Sequence, residues 1–245
     1  MNIEEIFDDL SFKVKPNDNY RSSYKFRFIK SFYKLFNKKK DYLFNNCVIK
    51  KEKIDLDLRK ELIKIDSMST YAIGYLINRI CKNLSKSQVY LNIGCWKGFS
   101  LIAGMINTQC KVIGIDNFSQ FNGPKKEFLK NFNNSKKHNH FFFQQDYEKY
   151  FESLDHTKDK FDFYFYDGEH SYDNQFKNLE IANKFLNIGS LVLIDDINFD
   201  EVYEATLKFI NKSNSKFKIV KEIKTVNNHC HPSFWNGIMI LKKYN

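Results

Sequence analysis

Four residues capable of acid–base or metal chemistry stand where two apolar runs stop. FDFYFYDGEHSY (161–172) passes from aromatic residues into Asp167 and, three positions on, His170. LVLIDDI (191–197) ends in Asp195 and Asp196. Three carboxylates supply hard oxygen ligands of the kind magnesium or calcium takes. An imidazole, with an ordinary pKa of about 6.5, accepts a proton at neutral pH. Aspartates at strand ends also form turns or cap the next helix. Two such ends and a histidine together favour the chemical reading.

For these groups to meet, the two runs must be neighbouring strands. Phe161–Tyr166 is continuously apolar, as in strands of a parallel sheet buried on both faces. Ligands of open parallel α/β sheets sit beyond the carboxyl ends of the strands. The rest of the chain supplies such a sheet. Helical spacing over 58–84 precedes the strand VYLNI (89–93), after which helices and strands alternate: GFSLIAGMI, KVIGID, PKKEFLKNF, HFFFQQ, DYEKYFESL, FDFYFYD, YDNQFKNLEIANKFL, SLVLIDD and FDEVYEATLKFINK. The chain closes on KFKIVKEI and FWNGIMILKK, with a short link that suits an antiparallel pair. This alternation implies a doubly wound, mostly parallel sheet over 56–245, with an added antiparallel strand at its edge.

The turn after the first of these strands, LNIGCWKGFS, has Gly94 and Gly98 four apart and Ser100 opening the helix. Glycine there lets backbone approach a ligand, and the helix N-terminus favours polar or anionic groups. GxxxG replaces the GxGxxG of dinucleotide sites, which disfavours NAD and FAD. KVIGID ends in Asp116, at the distance expected for a carboxylate that takes ribose hydroxyls. The next strand ends at Gln145–Asp146, facing an adenine edge. Trp96 packs beside this nucleoside site or shields it.

The ordered motifs IGxxxG, GIDNF, QQD, DGEHSY and LVLIDD over roughly 65–200 resemble class I S-adenosylmethionine-dependent methyltransferases. The resemblance is greatest to the branch of macrocin- and mycinamicin-type sugar O-methyltransferases and cephalosporin-hydroxylase-like proteins. It implies a seven-stranded Rossmann-like sheet and S-adenosylmethionine as cofactor. By position, Gly94 and Gly98 hold its methionine part, Asp116 its ribose and Asp146 faces its adenine. Asn92 stands where relatives carry an acid, so hydrogen bonding through water remains but charge attraction is lost. The resemblance further implies Mg2+ at Asp167, Asp195 and Asp196, His170 as base, and a sugar or small polyol as acceptor. The sulfonium already activates the methyl; the alcohol needs the base and the cation.

Other features bound the alternatives. The chain of 245 residues carries a formal charge of +10, which suggests a nucleic-acid partner. Its basic residues, however, are 35 lysines and only four arginines, a poor set for reading phosphate geometry or bases. An N-methyltransferase of nucleic acid is expected to carry Asn/Asp-Pro-Pro-aromatic where this chain has Asp167–His170. A non-catalytic nucleotide-binding scaffold is the alternative, and redox iron lacks a two-histidine set. Residues 1–55 lie outside the resemblance. Within them RSSYKFRFIKSFYKLFNKKK (21–40) has eight basic side chains and no acid, with helical spacing that suits packing on the main domain, a substrate cap, a homo-oligomer contact or an anionic membrane surface. Five scattered cysteines, no long apolar run and an acidic N-terminus lead us to expect a cytoplasmic protein. His229 and His231 around Cys230 are poorly spaced for one ion, and His138 and His140 carry no stronger metal signal.

Overall fold

The computed structural model describes residues 3–19, 39–50, 56–214, 216–226 and 230–245. Residues 21–38 of the basic segment lie outside them, and with them the cap, contact and membrane readings. What is described of the first fifty residues is α1 (Ile3–Asp8), β1 (Leu10–Phe12), α2 (Lys39–Asn46) and β2 (Cys47–Ile49), with β1 antiparallel to β2. Ile3, Ile6, Leu10, Phe44 and Cys47 enter the same core as Tyr71, Tyr90 and Phe163.

The main sheet is built from β3 (Val89–Ile93), β4 (Lys111–Ile115), β5 (His140–Phe143), β6 (Phe161–Tyr166), β7 (Leu186–Asp195), β8 (Phe217–Ile223) and β9 (Ile238–Lys243). Its order is β5-β4-β3-β6-β7-β9-β8. β3 to β7 are parallel, and β9 runs antiparallel to both neighbours. The last strand is thus inserted antiparallel between β7 and β8, completing seven strands as the sequence implies. This is the Rossmann-like methyltransferase arrangement.

Alternation explains why the apolar runs are continuous. Phe163 and Phe165 of β6, with Leu191 and Leu193 of β7, pack on one face. Tyr164, Tyr166, Val192 and Ile194 pack on the other. Both faces are covered, so period-two side chains are all apolar. Tyr90 of β3 stacks on Phe163 with ring centroids 4.7 Å apart.

Helices follow the expected spans: α5 (Phe99–Met105), α6 (Lys125–Ser135), α7 (Tyr147–Glu152), α8 (Tyr172–Asn183) and α9 (Asp200–Lys212). The single helix read over 58–84 is instead two, α3 (Leu56–Leu62) and α4 (Tyr71–Lys82). Asp66, Ser67, Ser69 and Thr70 break it, because short polar side chains compete for backbone groups. Thr70 is the α4 N-cap, its hydroxyl accepting from Ile73 N at 3.5 Å. Among the described residues no helix is long and apolar enough to cross a membrane.

Candidate active site

Strand register brings the polar residues together. Ile93 pairs with Ile115 and Tyr166, Ile115 with Phe143, and Tyr166 with Ile194. The next residue on each strand, Gly94, Asp116, Asp167 and Asp195, therefore falls in one row across the carboxyl edge. A cleft of about 660 Å³ opens above it, lined by Gly94, Trp96, Ser100, Asp116, Asp146, Asp167, His170, Asp195 and Asp196 together. Asn92 and Gly98 stand outside its wall.

At the glycine end, Gly94 adopts φ +80° and its backbone abuts the Asp167 carbonyl, so no Cβ fits. Asn92 is buried beneath, its amide donating to the carbonyls of Ile93 at 3.2 Å and Gly94 at 3.0 Å. It shapes the turn from below. Gly98, at φ +97°, begins α5. Asp116 does more than the sequence suggested: Oδ2 accepts from Cys95 N (2.7 Å) and Trp96 N (2.8 Å), and Oδ1 from Phe118 N (2.6 Å). One carboxylate thus ties the glycine turn to the loop after β4. Each of its oxygens carries two lone pairs, so a hydroxyl donor can still be taken. Asp146 caps α7 by accepting from Glu148 N at 2.9 Å. Trp96 Nε1 is buried with no hydrogen-bond partner among the described residues, a donor suited to a ligand acceptor.

At the acidic end, His170 Nε2 lies 3.9 Å from Asp167 Oδ1 and 3.8 Å from Asp196 Oδ2. Both distances are ion-pair range rather than hydrogen bonds. Burial pulls the His170 pKa below its ordinary value, and Asp196 acts the other way. The imidazole is therefore neutral at neutral pH, with an orphaned buried Nε2. Asp167 is pushed up first by burial and then by Asp196 and Asp116, and Asp195 first by burial and then by Asp196 and Asp167. Asp167 still has 39% of its side chain open to the cleft, within reach of a ligand.

The capping alternative is not what these acids do. Ser171 occupies the N-cap of α8 and Phe199 that of α9. Asp195 Oδ1 instead accepts from Asp196 N at 3.0 Å, and Asp196 adopts a left-handed φ of +58°. Tyr172 lies outside the cleft, with Lys208 Nζ 4.9 Å from its ring centroid.

Sequence reasoning missed one wall. Cys230, Trp235 and Asn236, from the link between β8 and β9, line the acidic end with Phe199. Met68 from the α3–α4 loop and Phe118 and Phe121 from the post-β4 loop also line the cleft. Backbone strain concentrates here: Trp96, Phe118, Phe121, Asp196, Cys230 and Trp235 all have positive φ and all line the cleft. Strained backbone persists where surroundings over-determine it, and it clusters at functional sites.

Comparisons with known proteins agree with this geometry. Residues 91–197 match the family described as a methyltransferase domain. No curated protein matches the chain significantly. Among solved structures, a candidate O-methyltransferase from Klebsiella pneumoniae superposes with TM-score 0.59 at 14% identity, covering 80% of this chain and 94% of that one. The O-methyltransferase from Bacillus cereus in complex with S-adenosylhomocysteine gives 0.57 at 14% identity, with 79% and 94% covered. TomG, the O-methyltransferase of Streptomyces achromogenes involved in tomaymycin synthesis, in complex with S-adenosylmethionine, gives 0.56 at 15% identity, with 79% and 92% covered. At such identities the likeness is one of fold.

Proposed function

We propose that this chain is an S-adenosylmethionine-dependent O-methyltransferase acting on a hydroxyl of a sugar or another small polyol. The observation that carries the reading is one cleft with a nucleoside-suited end and a basic imidazole at the other. The strained glycine turn, Asp116 and Asp146 suit the methionine, ribose and adenine parts of the cofactor. The orphaned Trp96 Nε1 adds an unused donor in the same wall. Bound there, S-adenosylmethionine supplies a methyl group already activated by its sulfonium.

The residues then have to handle the alcohol. His170, held neutral by burial, would take the hydroxyl proton at Nε2 as the methyl–sulfur bond breaks and the carbon–oxygen bond forms, the electron pair leaving with the sulfur. The imidazolium so formed faces Asp196 Oδ2 at 3.8 Å, whose charge favours the protonated ring. A base placed in this way contributes roughly 10²–10⁴ in rate, and alignment of hydroxyl and methyl supplies more.

Magnesium assistance has charge in its favour and geometry against it. Asp167, Asp195 and Asp196 repel one another, which together with burial raises the pKa values of Asp167 and Asp195. Yet among the described residues no three metal-ligating side chains converge on one point.

Calorimetric titration with S-adenosylhomocysteine, with and without magnesium, tests both. Binding at micromolar concentration is expected; its absence would remove the methyltransferase reading. A magnesium-independent turnover of methyl glycosides would retire the cation alone.

A further inference from the structure

The link between β8 and β9 is more heavily braced than a connection requires. His231 and Trp235 exchange backbone hydrogen bonds, each 3.0 Å. His231 Nδ1 lies 2.7 Å from Ser233 Oγ, and its Nε2 lies 3.2 Å from the Asp18 carbonyl oxygen. The Thr70 hydroxyl donates to Ser233 O at 2.6 Å. Phe234 is buried against Phe7 and Phe12, with centroids 5.9 and 5.2 Å away. Gly237, at φ +84°, donates to Phe234 O at 2.7 Å, and a Cβ on it would approach Asn198 Oδ1 to 2.7 Å. The N-terminal segment and the α4 cap thus hold this loop from behind.

The braced loop directs Trp235 and Asn236 into the cleft. Trp235 sits at φ +53°, a left-handed conformation that an L-residue adopts only where its surroundings hold it. Asn236 Nδ2 donates to Asp196 Oδ1 at 2.9 Å. The other oxygen of that carboxylate is the one facing His170.

We propose that Trp235 is the residue on which the acceptor ring packs, and that Asn236 is the positioning residue that aims Asp196 at His170. This rests on the methyl-transfer reading above and gives it an acceptor wall. An indole beside an amide and a carboxylate suits a pyranose, which has an apolar C–H face and a rim of hydroxyls. Aromatic walls with a few placed polar groups are the usual composition of small-ligand sites, and an indole gives large, rigid contact area.

The chain has two tryptophans, so each half of the cleft has its own fluorescent reporter. In Trp235→Phe the remaining Trp96 reports on the glycine turn; in Trp96→Phe the remaining Trp235 reports on the loop. S-adenosylhomocysteine is expected to change Trp96 emission and to leave Trp235 within about 10% of its starting intensity. Methyl α-glucopyranoside, methyl α-galactopyranoside or methyl α-mannopyranoside, added to the S-adenosylhomocysteine-saturated Trp96→Phe protein, is expected to give a saturable change in Trp235 emission. Trp235→Ala should weaken binding of that glycoside at least tenfold.

On the responding glycoside, Asn236→Ala should lower kcat about tenfold, with KM and S-adenosylhomocysteine affinity within threefold. Asn236→Asp, the same size but unable to donate, should fall at least as far. An Asn236→Ala effect confined to KM would overturn the positioning role. Equal response of both tryptophans to S-adenosylhomocysteine, or silence of Trp235 towards all three glycosides, would overturn the sugar wall. If S-adenosylhomocysteine moves neither reporter and does not bind by calorimetry, the methyl-transfer reading fails first and this inference falls with it.

Discussion

Gly94 and Asp167 meet backbone to backbone: a Cβ on Gly94 would fall onto the Asp167 carbonyl oxygen, while Gly94 itself sits at φ +80°. The contact joins the ends of adjacent strands, since Asp167 N donates to Ile93 O at 2.8 Å. One glycine therefore fixes both the turn after β3 and the acid beside His170.

Gly94→Ala combines left-handed strain of roughly 1–2 kcal/mol with a backbone clash that must be relieved by moving β3 from β6. We expect a loss of at least ~2 kcal/mol in denaturant unfolding and no calorimetric binding of S-adenosylhomocysteine. Unchanged stability would mean that the close approach is not required.

Asp116 is predicted to affect stability as well as ligand binding, because its carboxylate holds three backbone N–H groups. Asp116→Ala leaves those donors unpaired, at roughly 1–3 kcal/mol for each one that water cannot reach. We expect a loss of roughly 2–4 kcal/mol and at least tenfold weaker S-adenosylhomocysteine binding. Asp116→Asn keeps one acceptor oxygen and should recover part of the stability and less of the affinity. A variant that loses affinity with unchanged stability would show that the carboxylate serves the ligand alone.

These two residues also show what the sequence could reveal. Gly94, Asp116, Asp167 and Asp195 were legible because a doubly buried parallel strand spells itself as an unbroken apolar run, and each run ends where the polar residue begins. The row follows from register alone. Trp235 and Asn236 were not legible, since FWNGIMILKK reads as one strand-like run, whereas β9 starts only at Ile238 and FWNG belongs to the link before it. Its place is set by partners far away in sequence, Asp18 through His231 and Thr70 through Ser233, which no local pattern records. Asn92 shows the converse. A motif position suggested a ligand contact, but full burial and two short amide bonds turn its side chain to the turn's own carbonyls.

His170→Ala should separate binding from chemistry. The side chain lies at the acidic end and makes no hydrogen bond at Nε2 among the described residues, so its removal should change stability by less than about 1 kcal/mol. S-adenosylhomocysteine affinity should stay within threefold, while turnover falls roughly 10²–10⁴-fold. Full turnover in the variant would reassign the base.

His140 supplies a pH dependence remote from that chemistry. At the start of β5 it is buried, its Nδ1 accepting from Lys137 N at 3.0 Å. Burial, then the charges of Lys137 and His138, lower its pKa from 6.5 to about 4. In the unfolded chain the imidazole protonates near 6.5, so between these values the unfolded state binds more protons than the folded one. The stabilising contribution is thus fully present above pH 6.5 and is lost as the pH falls through about 4. Between pH 7 and 4.5 it amounts to roughly 2–3 kcal/mol. Carboxylates titrate in part of the same range, so the comparison needs a variant. His140→Gln retains an acceptor for Lys137 N without the titrating ring, and its urea-unfolding free energy should fall less steeply over that interval by about this amount. Parallel pH profiles for the two proteins would mean that His140 protonates in place, its ring reaching water while the strand stays folded.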